Sequence, residues 1–301
     1  MLSYTKPPIK VIEYKNKKIA SFVSDNESNI DLKTVQSFGE EWSKFNAFSE
    51  KELQVAGAEY FDIVDDYMLK DAVVLDLGCG TGRWSRFIAH KVKFIEAVDP
   101  SKAIFSAIDF NEDIQNLRVT HASIDSLPFE DESFDFVMSL GVLHHIPDTP
   151  KALRDLVKKL KKGGYCLIYL YYSLENRNLL YRSVFFLSNL LRLVISRMPS
   201  ALKKFSCDVV ALIGYMPFVL LARIVKQLFP TKKYFEAIPL FYYVNKPFNL
   251  VRNDALDRFG TPLEQRFSKK EVISMMESAG LSNIKVSEKM PCWHAVGQKL
   301  H

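Results

Sequence analysis

Residues Val73-Val74-Leu75-Asp76-Leu77-Gly78-Cys79-Gly80-Thr81-Gly82 join an apolar run, an acid and three glycines at alternate positions. The pattern is that of a buried strand feeding a tight turn that opens a helix. Glycines let backbone approach a ligand closely, and a helix N-terminus offers free N–H groups. A dinucleotide loop holds an anionic pyrophosphate and usually reads G-x-G-x-x-G. Here the spacing is G-x-G-x-G, with Asp76 two residues before the first glycine. A carboxylate there repels a pyrophosphate and suits a cation such as a sulfonium or an ammonium.

A second apolar strand, Phe94-Ile95-Glu96-Ala97-Val98-Asp99, ends in an acid 17 residues after Gly82. An acid at such a place accepts hydrogen bonds from a ribose. S-adenosylmethionine combines a ribose with both cations. Strand, acid, glycine loop, helix, strand and acid within one βαβ length are far more specific than a lone glycine loop. Arg83, directly after the loop, can pair with the carboxylate of a methionine moiety or form a surface salt bridge. Further on, His144 and His145 follow a fourth strand, at the rim where a second substrate should sit. Histidine titrates near neutral pH and can take a hydroxyl proton, which makes His145 first, then His144, candidates for a base. The structural alternative is that one of them only caps the next helix or bonds backbone. Tyr171 and Tyr172 end a fifth strand at the same rim, either against the acceptor or as packing.

On these residues the chain resembles the class I S-adenosylmethionine-dependent methyltransferases, and within them the methyltransferase type 11 group, which includes quinone C-methyltransferase-like enzymes. The resemblance covers roughly residues 38–172 and resumes over 262–298. It rests on the glycine loop, on Ala122-Ser123-Ile124-Asp125-Ser126-Leu127-Pro128-Phe129, on Ser133-Phe134-Asp135-Phe136-Val137-Met138-Ser139, on Gly141-Val142-Leu143-His144-His145-Ile146 and on the Lys162-Gly163-Gly164 turn. It is specific for fold and cofactor and poorly specific for the methyl acceptor. The resemblance implies S-adenosylmethionine held by Asp76, Gly78, Cys79, Gly80, Gly82, Arg83, Asp99, Pro100, Ser123, Ile124, Asp125 and Leu140. Asp125 would neighbour the adenine amino group, and Trp42, in the aromatic stretch Phe38–Phe45, would cover the cofactor or merely pack. It also implies that a histidine of the His144-His145 pair serves as base, as in related O-methyltransferases, with Tyr171 beside it.

Bulk properties agree. The chain has 301 residues, 48 % of them apolar, and a net charge of +5. Its four cysteines lie far apart with no C-x-x-C pair, so no metal centre or disulfide framework is expected and a reducing, cytoplasmic setting fits. The first residues carry no apolar signal core.

The expected architecture is an α/β, Rossmann-like, doubly wound seven-stranded sheet, its last strand antiparallel by family likeness, with a helical lid insertion. Four segments follow: 1–48, an extension with a hairpin and the cofactor-covering stretch; 49–172, the cofactor-binding core; 173–265, the insertion; and 266–301, a helix and strands completing the sheet. Capping boxes at Ser49/Glu52 and Ser268/Glu271 start helices, the first running from 50 to 69. The insertion is distinct: between 173 and 250 it holds eleven Lys+Arg against three Asp+Glu. Leu179–Ser196 is apolar on most sides, with a polar stripe at Arg182, Asn189, Arg192 and Ser196. Val209–Ala222 is free of charge but only 14 residues long, short of the roughly 20 that span a bilayer. Such helices could form the lid's own core, rest peripherally on a membrane or lipid, or make a homodimer.

These features point to methyl transfer to oxygen or carbon of a small-molecule acceptor: a lipid, quinone, polyketide or glycan precursor. A tRNA or RNA methyltransferase is the first alternative. Nucleic acid is disfavoured because the basic residues are interleaved with bulky aliphatics and no N/D-P-P-Y-type signature ends the fourth strand. A non-catalytic cofactor-binding scaffold is the second alternative, and the intact loop and acids speak against it.

Overall fold

The computed structural model describes every residue except 1, 25, 43–48, 176–178, 230, 236–237, 288–291 and 301. The chain divides into two units, residues 1–176 with 263–301, and residues 177–262.

Among the described residues the first unit is built on nine strands: β1 Lys10–Tyr14, β2 Lys17–Ser21, β3 Val73–Leu77, β4 Phe94–Asp99, β5 Leu117–His121, β6 Phe134–Leu140, β7 Leu160–Tyr171, β8 Leu281–Val286 and β9 Cys292–Lys299. Their order is β1-β2-β5-β4-β3-β6-β7-β9-β8. Strands β3 to β7 pair in parallel, while β9 runs antiparallel to β7 and to β8. The central strands read as apolar runs because helices cover both faces. Seven strands were expected in the sheet; nine form, because the N-terminal hairpin β1–β2 joins its edge through the parallel pair Ser21↔His121. The chain winds outward from β3 through β4 to β5 and then returns to β6 and β7. That reversal beside β3 is a topological switch point, and ligands of such sheets bind in the crevice at its carboxyl side.

Helices of this unit are α1 Leu32–Trp42, α2 Glu50–Tyr60, α3 Asp66–Leu69, α4 Arg83–Ile88, α5 Ala103–Phe110 and α6 Thr149–Lys158. Both capping boxes form, at Ser49/Glu52 and Ser268/Glu271. The helix expected over 50–69 is broken into α2 and α3. Between them Asp62 accepts a hydrogen bond from Ser287 Oγ at 2.7 Å and lies 3.5 Å from His294, which ties the chain to the end of the sheet. Residues 43–48, part of the expected covering stretch, lie outside the described residues.

The glycine loop depends on its glycines for two separate reasons. Gly78, Gly80 and Gly82 all have positive φ, and a Cβ on Gly78 would sit 2.4 Å from a Val142 methyl. Gly78→Ala should therefore lower stability by about 3 kcal/mol, combining left-handed strain with overpacking. A urea melt reads this directly, and a loss under about 1 kcal/mol would mean that the loop relaxes freely.

The second unit comprises α7 Leu179–Ile195, α8 Ser200–Val209, α9 Met216–Leu228, α10 Lys232–Phe235 and α11 Phe248–Gly260. A π-helical stretch, Val210–Tyr215, joins α8 to α9 just before Pro217. Proline has no N–H and crowds the preceding turn, so the widened winding accommodates it. The result is one run of 28 helical residues, Ala201–Leu228, long and apolar enough by length and composition to cross a membrane. After this unit the chain re-enters the first, where α12 Lys269–Ser278 precedes β8. The insertion thus ends at 262 rather than 265, because Leu263–Phe267 pair with residues of the first unit.

Candidate active site

Asp76 is the penultimate residue of β3, and it is nearly inaccessible. It accepts a hydrogen bond from Ser85 Oγ, in the first turn of α4, at 2.6 Å. Burial pushes its pKa up to about 7, against the opposing pull of the Ser85 hydrogen bond, with Asp99 adding to the rise. The expectation of a free anion beside a cation is corrected here. Near neutral pH Asp76 is shared between acid and carboxylate, and a nearby cation would draw it to the charged form.

Asp99, at the end of β4, ties the loop together. Its Oδ2 accepts from Gly80 N at 3.0 Å; its Oδ1 accepts from Ser101 N at 2.8 Å and Ser101 Oγ at 2.6 Å. A carboxylate offers about four acceptor positions, so these three bonds leave capacity for a ligand hydroxyl. Trp42 lies against the same loop: a Cβ on Gly80 would be 3.6 Å from its indole nitrogen. The Arg83 guanidinium sits 4.8 Å from the Trp42 ring and 4.7 Å from Trp84. Cys79 is buried, and burial raises its thiol pKa well above the usual value, so it contributes backbone rather than a thiolate. Pro100 accepts from His121 Nε2 at 2.9 Å, while Ser123, Ile124 and Leu140 are buried beside the ends of β5 and β6.

Asp125 is placed differently from expectation. Its Oδ2 accepts from Ser28 N at 2.9 Å, Ser28 Oγ at 3.3 Å and Asn29 N at 2.7 Å, and Lys151 reaches Oδ1 at 3.3 Å. Burial would raise its pKa, but the hydrogen bonds from Asn29 and Lys151 outweigh it and hold the carboxyl below its ordinary value. This carboxylate fastens the N-terminal segment to the loop after β5.

The histidine pair follows β6 in a 3-10 turn, Leu143–His145. His145 Nδ1 lies 2.6 Å from the carbonyl oxygen of Leu263. A carbonyl only accepts, so Nδ1 carries the proton and Nε2 of the neutral ring carries the lone pair. His144 is fully buried, stacked on Tyr171 at 4.0 Å and 4.1 Å from the His145 ring. Burial, and then the neighbouring His145, drive its pKa well below the usual value. That placement corrects the expectation for His144, which is a neutral packing group. Tyr171 has the His144 ring on it and the Arg266 guanidinium 5.0 Å away.

Helix α1 links the two halves. Phe38 packs on His145 at 4.9 Å; Gly39 brings the helix so near that a Cβ would stand 3.1 Å from Lys102 N; Trp42 lies on the glycine loop. Phe38 and Trp42 are four residues apart, hence on one helical face.

Several neighbours escaped the sequence reading. Leu263 acts through a backbone carbonyl, which carries no side-chain signal. Tyr60 stacks on Trp84 at 4.2 Å and on Tyr169 at 4.8 Å, and Tyr169 stacks on His294 at 5.1 Å. A lone histidine in the apolar run Trp293-His294-Ala295-Val296 was the available signal for the Asp62–His294 pair. Among the described residues there is no cluster of ligating side chains suited to a metal.

Residues 75–168 match the family described as "Methyltransferase domain". Over this segment the chain is similar to methyltransferase domains, a family that implies S-adenosylmethionine as donor. The "Uncharacterized methyltransferase YcgJ" of Bacillus subtilis is 31 % identical to the chain over 106 residues, 34 % of this chain and 42 % of that protein. A demethylmenaquinone methyltransferase of Staphylococcus aureus is 33 % identical over 106 residues, 32 % of this chain and 41 % of that protein. The chain therefore spans less than half the length of these relatives. The crystal structure of the Bacillus subtilis YcgJ protein overlaps with a TM-score of 0.48 at 19 % identity, covering 77 % of this chain and 71 % of that one.

Proposed function

We propose that the protein transfers the methyl group of S-adenosylmethionine to oxygen or carbon of a small-molecule acceptor of the lipid, quinone, polyketide or glycan-precursor kind. The observation that carries this reading is the shared roof of α1, with the glycine loop and Asp99 under Trp42 and the tautomer-locked His145 under Phe38. The residues of the loop fit the cofactor: close backbone approach at Gly78, Gly80 and Gly82, a buried acid with an adjustable charge, and a carboxylate with spare acceptor capacity for a ribose. We assign Asp99 to the ribose hydroxyls, Asp76 to the cationic methionine end, and Ser123, Ile124 and Leu140 to the adenine side. The cofactor's sulfonium already activates the methyl, so positioning supplies much of the rate. His145 Nε2 is assigned to the acceptor's hydroxyl proton. The demethylmenaquinone relative supports a quinone- or lipid-like acceptor, as does the apolar character of residues 173–250, where peripheral lipid contact belongs to the same reading and a homodimer is its rival.

Calorimetry with S-adenosylmethionine and S-adenosylhomocysteine, with NAD as control, tests the cofactor. Micromolar binding of the first two supports the reading; saturable NAD binding alone overturns it. Binding should also depend on pH. Asp76 holds a proton up to about pH 7 in the free protein, and a cationic ligand favours its carboxylate. Affinity should rise by up to tenfold per pH unit below that value and level off above it. Asp76→Asn should flatten the profile, and a flat profile in the unsubstituted protein would remove Asp76 from contact with the cation.

A further inference from the structure

Helix α7 is inside out. Past the exposed Arg182, its polar stripe faces inward: Arg192, 4 % exposed, donates to Asn189 Oδ1 at 2.8 Å and to the carbonyls of Thr261 at 2.8 Å and Pro262 at 2.9 Å. Ser196 is buried on the same side. The outward side carries Val184, Leu187, Leu190, Leu191 and Val194, with Leu187 64 % exposed. The long helix that follows repeats the arrangement. Asp208 is held by Arg252 at 2.7 Å, and Arg223 donates to the Val244 carbonyl at 2.8 Å. Outward stand Phe205, Leu212, Ile213, Leu220 and Ile224, with Ile213 70 % exposed. Both helices pack against α11 through small or few apolar residues, Ile195 and Cys207 by Phe259 and Ala211 by Val251 and Ala255, while their larger apolar faces stay exposed. A helix in water shows the reverse distribution, and monomeric soluble proteins rarely expose contiguous apolar patches beyond a few hundred Å².

Charge selects the occupant. Residues 177–262 hold 13 Lys+Arg and four Asp+Glu, a net of +9, while the whole chain carries +5. The remainder is therefore net −4. A second copy would set this excess against itself, whereas an anionic bilayer answers both the apolar face and the cations. We infer that the outward faces of α7 and of the α8–α9 helix dock the protein on an anionic membrane surface, the helices lying in the plane of the interface. Spanning fits less well. The run Ala201–Leu228 is long enough, but its charge-free part, Val209–Ala222, covers only about 21 Å at 1.5 Å per residue, which would leave Asp208 and Arg223 at the edges of a hydrocarbon core of about 30 Å. Asp208 and Arg223, which bound it, are committed to α11 and to the carbonyls before it.

The test is flotation of the full chain with vesicles of phosphatidylcholine alone and vesicles in which about a third of the lipid is anionic phosphatidylglycerol. Association should be roughly tenfold or more stronger with the anionic vesicles, weaken in high salt and be released by alkaline carbonate. The combined exposed substitutions Leu187→Glu, Ile213→Glu and Leu220→Glu should abolish it, with circular dichroism and melting unchanged. Failure to float with either vesicle, resistance to carbonate extraction, or a solution dimer that the same substitutions dissociate would overturn the inference. S-adenosylmethionine binding, measured on the same preparations, tests the catalytic reading separately: intact cofactor binding without flotation removes only the docking surface.

Discussion

His145→Ala should lower methyl transfer to a hydroxyl-bearing acceptor by about a hundredfold or more, the contribution of a positioned general base, while S-adenosylmethionine binds as before. The reasoning starts at Leu263, whose carbonyl oxygen lies 2.6 Å from Nδ1 and leaves Nε2 as the basic nitrogen. His145→Asn separates base from scaffold. The amide can still donate to Leu263 but offers no nitrogen lone pair. Turnover lost in both variants makes His145 the base; turnover kept in the asparagine variant makes it a spacer that only positions the turn. Turnover is followed with whichever acceptor a screen of phenols, quinols and lipid hydroxyl compounds identifies. Cofactor affinity, by calorimetry, is the internal control.

Asp99→Ala should weaken S-adenosylmethionine by about a hundredfold. Two hydrogen bonds from ribose hydroxyls to a charged acceptor are worth about 1.5 kcal/mol or more each, and each 1.4 kcal/mol is about tenfold. The same substitution also frees Gly80 N and Ser101, both of which donate to this carboxylate, so the melting temperature should fall as well. Asp99→Asn, which retains one acceptor oxygen, should be intermediate in both measurements. Unchanged cofactor affinity in the alanine variant would sink the ribose assignment.

The site's backbone was more legible than its side-chain wiring. The glycine loop, the acid at the end of β4 and both capping boxes are local patterns, and local physics governs them. The length of α2 was misread because its end is imposed from afar, by Ser287 and His294 holding Asp62. Asp125 carries the right residue type for a ligand contact, yet its partners, Ser28 and Asn29, lie almost a hundred residues earlier. The Leu263 carbonyl that orients His145 has no side-chain signature at all. In α7 the periodicity revealed a polar stripe, but periodicity says only that two sides differ. Which of them meets solvent depends on Thr261 and Pro262 arriving to accept from Arg192.

The rigid spacing of Phe38 and Trp42 on one helical face bears on the timing of the catalytic cycle. One helix touches both the glycine loop and the His145 ring, so it cannot lift from one and stay on the other without bending. Exchange of spent cofactor would then strip the aromatic neighbour from His145 at the same moment. The two compartments would open together and reset together. In kinetic terms the protein would favour an ordered cycle, in which loading of the donor is the event that makes the acceptor side competent.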